Sequence, residues 1–337
     1  MKILLTGAGG FLGKRIAHSL LAKGATDLRL HFRQRPPAGF MESLAAEFPG
    51  ATIDWAAANL LARGTLNTML QDVDCVIHAA AGMRGAAADM FANTVLGSRN
   101  LLEATVAQRI KRVVLISSFS VYKTEPLADG ALLAEATPIE EVGINKGPYG
   151  YAKTRQERMF LDLAKAHGFE TVILRPGVIY GPGGGGMSPR VGLKAMGFFF
   201  ALGGGVTLPL TYVDNCADAV AQATLHAPAG SAFNVVDDDL PSCNQYLQAY
   251  RKQVQPMRTV RVPYWAFLMG SRYLERYHRV SKGQLPAVFT PYVVRSMYRP
   301  LKYSNAPLRA IGWQQAVPTT SAMEQAFRWL RDQKNDG

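Results

Sequence analysis

The sequence predicts an α/β fold built on a doubly wound parallel sheet, and three observations lead to this prediction. Short apolar runs recur along the first 240 residues, and stretches with helical periodicity separate them. The first apolar run ends in a glycine-rich loop, which a helical pattern follows at once. After the glycine-rich run 181–186 the regular alternation weakens, and residues 239–317 are rich in Arg, Tyr and Pro, which indicates a smaller C-terminal lobe.

The first elements form a strand–helix–strand unit. An apolar run at residues 2–5 precedes the glycine loop, Leu12, Ile16 and Leu20 then recur at helical spacing, and a second apolar run occupies residues 28–32. Because such a unit places its two strands parallel in one sheet, it predicts where the sheet begins.

The later elements continue the same alternation. Ligands bind beyond the carboxyl ends of the strands in such sheets, so the residues directly after each strand are the candidate site residues. We predict further strands at residues 75–78, 113–116, 171–174 and 232–236, and helices near residues 89–108 and 150–166.

Composition and charge narrow the class of protein. Hydrophobic residues make up 48% of the 337 residues, which excludes a disordered chain, and three scattered cysteines predict neither a disulfide nor a metal site. The first strand begins at once and leaves no room for a signal peptide, so we expect a cytoplasmic protein. The uncharged run 195–213 is too rich in glycine for a membrane-spanning helix. The basic charge lies in residues 251–310, which hold 12 Lys and Arg but only one acidic residue, Glu275.

The glycine loop predicts a dinucleotide site. Gly7, Gly10 and Gly13 follow a strand and open a helix, so that backbone amides at the helix N-terminus can face a phosphate. An acidic residue about 20 positions further on usually binds the ribose 2′-hydroxyl of NAD, but here Arg33 stands at the end of the second strand. Arginine pairs with a 2′-phosphate, so we predict NADP(H) as the preferred cofactor and leave NAD(H) open.

A second motif predicts acid–base chemistry. Tyr149 and Lys153 are four residues apart and therefore share one helix face. A nearby ammonium favours the phenolate, so we expect a lowered pKa for Tyr149 and a role as general acid and base. Ser118 follows the preceding strand, where its hydroxyl can meet the same substrate oxygen. Together with a dinucleotide, these residues predict reversible hydride transfer at a secondary alcohol or ketone.

Motifs along nearly the whole chain resemble the extended short-chain dehydrogenase/reductase family, both its NAD-dependent epimerase/dehydratase-like members and its 3β-hydroxysteroid dehydrogenase-like branch. They include Thr6-Gly7-x-x-Gly10-x-x-Gly13, Ile77-His78-Ala79-Ala80-Ala81, Ser117-Ser118-Phe119-Ser120-Val121-Tyr122, Tyr149-Gly150-Tyr151-Ala152-Lys153 and Leu174-Arg175-Pro176-Gly177-Val178. The resemblance implies a Rossmann-type domain over residues 1–182, to which residues 209–238 return, and a substrate-binding lobe formed by residues 183–208 and 239–337.

The same resemblance implies roles for individual residues. Tyr149 would exchange a proton with the substrate oxygen, Lys153 would hold the nicotinamide ribose, and Ser118 would orient the carbonyl or alcohol. Asn59 stands where the family usually has Asp near the adenine. The implied cofactor-binding residues are Gly7, Gly10, Phe11, Leu12, Gly13, Arg33, Asn59, Leu60, Ala79, Ala80, Ala81, Tyr149, Lys153, Pro176 and Val178.

Several functions stay open at this point. The apolar run 198–202 favours a hydrophobic alcohol or ketone as substrate, whereas the basic lobe favours a nucleotide sugar that an epimerase oxidises transiently. A sugar-nucleotide 4,6-dehydratase is not expected, because Ser118-Phe119-Ser120 stands where such enzymes carry Thr-Asp-Glu. A non-catalytic NADP-binding sensor is a further alternative, although such proteins tend to lose the tyrosine that is present here as Tyr149.

The partners are predicted from the basic lobe and from the family. Residues 262–282 combine an apolar aromatic run with arginines, a pattern that suits peripheral contact with an anionic membrane, an anionic substrate or a solvated helix. No nucleic-acid-binding module is visible, so we expect no nucleic acid partner. The resemblance implies a homodimer formed through helices like those near residues 89–108 and 150–166.

Overall fold

The computed structural model describes residues 1–83, 85–280 and 290–335 and centres on a parallel sheet. The strands are β1 (Ile3–Thr6), β2 (Asp27–Phe32), β3 (Thr52–Ala57), β4 (Cys75–His78), β5 (Arg112–Ile116), β6 (Leu132–Leu133), β7 (Glu170–Pro176), β8 (Val178–Tyr180), β9 (Gly192–Ala195), β10 (Phe198–Ala201), β11 (Leu210–Tyr212), β12 (Ser231–Val235), β13 (Thr259–Arg261) and β14 (Lys302–Tyr303). Seven of them form one sheet in the order β12-β7-β5-β4-β1-β2-β3, with every neighbouring pair parallel. The predicted α/β class is therefore confirmed.

Helices cover both faces of this sheet. They are α1 (Gly13–Ala22), α2 (Phe40–Glu47), α3 (Leu66–Met69), α4 (Ala87–Phe91), α5 (Gly97–Ala107), α6 (Gly147–His167), α7 (Val213–His226), α8 (Cys243–Gln253), α9 (Tyr264–Val280), α10 (Pro291–Tyr298), α11 (Ala306–Ala310) and α12 (Thr319–Asn335). Side chains of β1 alternate between the faces, so Ile3 and Leu5 pack with α1 and α7, while Leu4 packs with α5 and α6. Each strand therefore contributes side chains to two cores, one on each face of the sheet. Because both faces are covered, the parallel strands are continuous apolar runs in the sequence.

Two elements differ from the sequence prediction. Strand β3 was not predicted, because an edge strand buries only part of its surface and Thr52–Ala57 includes the ion-paired Asp54 and a half-exposed Trp55. The helix expected at residues 89–108 is divided into α4, a π-helical turn at Ala92–Leu96, and α5. Such a turn adds a residue to the helical repeat and is frequent at functional sites.

The C-terminal elements build a wall beside the sheet. Strands β9, β10 and β13 form a small second sheet, which places part of the uncharged run 195–213 in strands. Phe267 and Leu268 of α9 pack against Val294 and Tyr298 of α10. Within the described ranges, no helix has the length and apolarity needed to cross a membrane.

Candidate active site

A cavity of about 1410 Å³ opens at the carboxyl ends of β1, β2, β4 and β5, where parallel sheets bind ligands. The structure brings together at this cavity almost all the candidate residues, namely Gly7, Gly10, Phe11, Leu12, Gly13, Arg33, Asn59, Leu60, Ala79, Ala80, Ala81, Ser118, Tyr149, Lys153 and Val178. Pro176 does not line this cavity, and its expected place beside the ligand stays a prediction. It pairs with Val235 at the buried end of β7, and the next residue, Gly177, lines the cavity instead.

The glycine loop is shaped for close approach to a ligand. Gly7 has a φ of +74°, and the amide of Gly10 donates to its carbonyl oxygen at 3.0 Å. A Cβ on Gly13 would lie 2.1 Å from that same oxygen, and a Cβ on Gly7 would lie 3.0 Å from the backbone of Ala80. Side chains at these positions would therefore collide with neighbouring backbone and distort the loop whose amides can face a phosphate.

The charges around the cavity fit a polyanionic cofactor. Five cationic side chains line it, and among its described lining residues there is no Asp or Glu. They are Arg33, Arg35, Lys146, Lys153 and Arg190. A dinucleotide with its pyrophosphate is complementary to this surface, and the glycine loop and Ala79–Ala81 would hold it.

Arg33 lies where the sequence analysis placed it, directly after β2. Its guanidinium is exposed and donates from Nη2 to Oδ1 of Asn93 in the π-helical turn at 2.9 Å. Arg35 is also exposed and lines the same end of the cavity. The Asn59 side chain bonds to the neighbouring backbone, because its Oδ1 accepts from the amide of Leu61 at 3.1 Å.

Ser118, Tyr149 and Lys153 meet at the centre of the cavity. Ser118 follows β5, and its Oγ accepts from the amide of Ser120 at 3.2 Å, which fixes the serine in place. The Ser118 side chain lies near the phenol of Tyr149 and acts to lower its pKa. Tyr149 lies in the first turn of α6, with Pro148 starting the helix, and Lys153 follows one turn later.

The expected lowering of the Tyr149 pKa is wrong for this structure. Burial disfavours the phenolate and raises the pKa of Tyr149, while the Ser118 side chain opposes that rise only in part. Lys153 directs its ammonium elsewhere, because Nζ donates to the Ile116 carbonyl at 2.8 Å and to Oε1 of Gln156 at 2.9 Å. Burial also lowers the pKa of Lys153 to about 8, against the opposing field of Glu157.

A buried neutral network, which the sequence analysis missed, holds Lys153 from behind. Gln156 accepts from Lys153 and donates from Nε2 to Ser98 Oγ at 2.7 Å. Ser98 also lies 2.7 Å from Nε2 of His78, whose Nδ1 lies 2.8 Å from the hydroxyl of Thr6. Burial lowers the pKa of His78 to about 3, so the imidazole stays neutral. The network therefore connects the lysine to the strand end that carries the glycine loop.

A buried ion pair lies beneath the same residues. Glu157 Oε1 accepts from Nε and Nη2 of Arg175 at 3.0 and 2.5 Å, and both side chains are almost fully buried. The other carboxylate oxygen of Glu157 accepts from Ser117, the residue before Ser118. Arg175 also donates to the hydroxyl of Tyr122 at 2.9 Å. These bonds tie β5, α6 and β7 together directly under the candidate catalytic group.

The wall opposite the glycine loop is mixed, with cations set among apolar side chains. Lys146 donates from Nζ to the carbonyl oxygen of Tyr122, and burial lowers its pKa to about 8. Arg190 donates from Nη1 to the carbonyl oxygen of Met297 at 2.7 Å. The apolar lining of this wall comprises Phe119, Leu133, Val293, Met297 and Leu301.

The sequence carried a weak signal for some of these missed residues. Lys146 stands three positions before Tyr149, and Gln156 stands three positions after Lys153, so helical spacing places both near the motif. Arg190 and α10 are far from the motif along the chain, and only the fold brings them to it.

Known proteins share this architecture. The model of the NAD dependent epimerase/dehydratase family matches residues 3–236. The chain is similar to the 2-alkyl-3-oxoalkanoate reductase of Shewanella oneidensis, with 27% identity over 310 residues, which cover 87% of this chain and 76% of that protein. It is 32% identical to the UDP-glucose 4-epimerase of Azospirillum brasilense over 185 residues, 52% of this chain and 48% of that protein.

A solved structure supports the fold independently. The crystal structure of gox2253 matches this structure with a TM-score of 0.78 over 98% of both chains, at 22% sequence identity. A likeness at that identity shows the shared fold alone. With the family match over more than half of its length, this chain belongs to the NAD dependent epimerase/dehydratase family and is an NAD(P)-dependent oxidoreductase of the extended short-chain dehydrogenase/reductase type.

Proposed function

We propose that the enzyme reduces a hydrophobic ketone to a secondary alcohol with NADPH, or catalyses the reverse oxidation. The observation that carries the proposal is the meeting of Ser118, Tyr149 and Lys153 in one cavity with an apolar wall. The activity in the name of the Shewanella oneidensis relative, a reductase of 2-alkyl-3-oxoalkanoates, supports the same class of reaction.

The mechanism follows from the side chains at the centre of the cavity. The nicotinamide, when bound, supplies the hydride that adds to the carbonyl carbon. Ser118 donates a hydrogen bond to the carbonyl oxygen, and Tyr149 transfers its phenolic proton to that oxygen as negative charge develops there. Because burial keeps Tyr149 protonated, it is ready to act as the acid. Lys153 lines the cavity and uses two of its three N–H groups on Ile116 and Gln156, so the third would be available to hold the nicotinamide ribose.

The test of this mechanism is Tyr149→Phe, which removes the proton donor and keeps the ring. We expect kcat/KM to fall by about 10²–10⁴-fold, the usual contribution of a positioned acid. Tyr151→Phe is the matched control, because Tyr151 stacks on Phe91 with centroids 5.7 Å apart and lies outside the cavity lining. Full turnover by the Tyr149 variant would remove this mechanism.

We further propose NADP(H) as the preferred cofactor, with Arg33 as the partner of the 2′-phosphate. The exposed guanidinium of Arg33 beside Arg35 at this end of the cavity supports the proposal. Arg33→Asp should raise KM for NADPH by at least tenfold and KM for NADH far less. Arg155→Asp, which makes the same charge change at an exposed site of α6, is the control. An equal rise for both cofactors would contradict the assignment.

A nucleotide-sugar epimerase is the second candidate. The similarity to the Azospirillum brasilense UDP-glucose 4-epimerase, 32% identity over 185 residues, and the cationic cavity both favour it. An epimerase oxidises and re-reduces its substrate in one turnover and so keeps its cofactor. Freshly purified protein that carries NAD(H) in its ultraviolet spectrum would favour the epimerase, and protein that binds added NADPH tightly would favour the reductase.

We also propose that the segment 262–282 touches an anionic membrane surface. Residues 281 and 282 lie outside the described residues, but α9 leaves Trp265 and Tyr273 each 69% exposed on one face, with Arg272 and Arg276 nearby. Trp265→Glu should weaken sedimentation with vesicles of phosphatidylcholine and phosphatidylserine. Vesicle binding that is unchanged in this variant would contradict the proposal. Unchanged vesicle binding together with a loss of self-association would instead favour a contact of the expected homodimer.

A further inference from the structure

We propose that Arg190 and Lys146 bind a carboxylate of the substrate, so that the substrate is an oxo acid with an apolar chain. The inference rests on the proposed ketone reduction and adds the charge of the molecule that is reduced. It begins with the cavity lining, where cations stand on both walls and the described lining residues include no acidic side chain. Arg33 and Arg35 serve the cofactor end, which leaves the two cations of the opposite wall without an assigned role.

Arg190 is held in place but is not neutralised. Its Nη1 donates to the Met297 carbonyl at 2.7 Å. Within the described ranges, no acidic side chain is recorded within 4.0 Å of its guanidinium. A half-buried guanidinium with a neutral partner retains unused donors in the planar arrangement that suits a carboxylate.

Lys146 supplies the second charge close to the reacting carbonyl. It stands three residues before Tyr149 and lines the same cavity. The carboxylate nearest to it, Glu140, is already engaged by the hydroxyl of Tyr292 and by the amides of Glu141 and Val142. An anion from the cavity can therefore add to the stabilisation of the Lys146 ammonium.

The remaining lining distinguishes between two kinds of anion. A nucleotide diphosphate would bring a base and a ribose that require several polar partners. The lining on the side of the two cations has hydroxyls on Ser120, Thr124, Tyr292, Ser296 and Tyr303, and its apolar surface comes from Phe119, Leu133, Val293, Met297 and Leu301. One carboxylate on an aliphatic chain satisfies both the charge and this apolar surface, which a sugar would leave uncovered. The substrate class in the name of the Shewanella oneidensis relative, an oxoalkanoate, has this chemistry.

The first test compares 3-oxododecanoate with its methyl ester, in which a small neutral ester replaces the carboxylate on the same chain. We expect the wild-type enzyme to prefer the acid in kcat/KM, and Arg190→Met to reduce the acid-to-ester ratio by about 10- to 100-fold, the range of one charge-assisted bond. Lys146→Met should lower the ratio in the same direction. Lys194→Met removes an exposed cation outside the cavity lining and is the control. A wild-type ratio of one or below, or an unchanged ratio in Arg190→Met, would overturn the proposal.

A binding measurement separates this inference from the proposed function. Titration of the NADPH-loaded enzyme with dodecanoate and with UDP requires no turnover. If dodecanoate binds to the wild type and its affinity is at least tenfold lower in Arg190→Met, the carboxylate site is supported even if neither ketone is reduced. UDP binding that depends on Arg190, with no binding of dodecanoate, overturns it. Arg190→Lys keeps the charge and guards against misfolding, and we expect it to retain part of the preference for the acid.

Discussion

The Arg175–Glu157 pair offers a sharp test of how this site is held together. Both side chains are almost fully buried, and two short bonds join the guanidinium to a single carboxylate oxygen. Replacing Glu157 with Met keeps the volume but leaves the Arg175 charge with only neutral acceptors, such as the Glu135 carbonyl at 3.0 Å. Breaking a buried pair from one side costs about 3–5 kcal/mol.

That cost is large against the whole stability of a folded domain, which is on the order of 5–15 kcal/mol. The double variant Glu157→Met/Arg175→Met removes both charges, so we expect it to be less destabilised than the sum of the single variants by about 1–3 kcal/mol. Urea unfolding followed by circular dichroism measures the free energy of unfolding for the four proteins of this cycle.

An exposed pair provides the control. Arg63 and Glu103 lie 2.7 Å apart but are 70% and 38% exposed, so Glu103→Met should cost no more than about 1 kcal/mol. A cost below about 1 kcal/mol for Glu157→Met, or single costs that simply add in the double variant, would refute the reasoning. Either result would mean that water or a shift of β7 compensates for the lost carboxylate.

Three further variants test other parts of the site. Gly13→Ala places a Cβ 2.1 Å from a backbone oxygen of the glycine loop, so NADPH affinity should fall at least tenfold in a fluorescence titration, whereas Gly50→Ala, with open space around it, should not change it. The lowered pKa of His78, about 3, means that the unfolded chain takes up its proton first as the pH falls below about 6.5. His78 should therefore lower the free energy of unfolding by about 2 kcal/mol between pH 7 and pH 5. In His78→Gln this contribution to the pH dependence, measured by urea unfolding, should be absent. Gln156→Leu removes an acceptor of Lys153, so it should lower kcat by about tenfold and move the alkaline limb of the kcat–pH profile to lower pH; a change in KM alone would contradict this positioning role.

The parts of the fold that could be predicted are those where burial decides the residue types. Strands β1, β4 and β5 lie in the middle of the sheet with both faces covered, so each is a continuous apolar run except for one end residue, Thr6, His78 or Arg112. Such runs are recognisable in the sequence. The glycine loop and the spacing of Tyr149 and Lys153 were also readable, because local geometry alone imposes them.

Other features depend on contacts between distant parts of the chain. Strand β3 at the sheet edge lacks a continuous apolar pattern. No local sequence pattern predicts that Arg190 contacts Met297, which is 107 residues further along the chain. The pKa of Tyr149 was predicted in the wrong direction for a related reason. The helical spacing gives its proximity to Lys153, but burial and the direction of the ammonium are set by the surrounding fold.

The surroundings of Lys153 separate two tasks, the pairing of the buried Arg175 and the positioning of the Lys153 ammonium, which one carboxylate could not perform together. Glu157 lies one turn from Lys153 and would be its natural ion partner, but its oxygens are taken by Arg175 and Ser117. Lys153 instead donates to the neutral Gln156 and to a backbone carbonyl, and burial lowers its pKa to about 8 although the field of Glu157 opposes this. A lysine paired directly with a carboxylate would be fixed as an ammonium and turned away from the cavity. Held by neutral acceptors, it keeps a donor for a ligand, and an electron-rich partner in the cavity strengthens its charge.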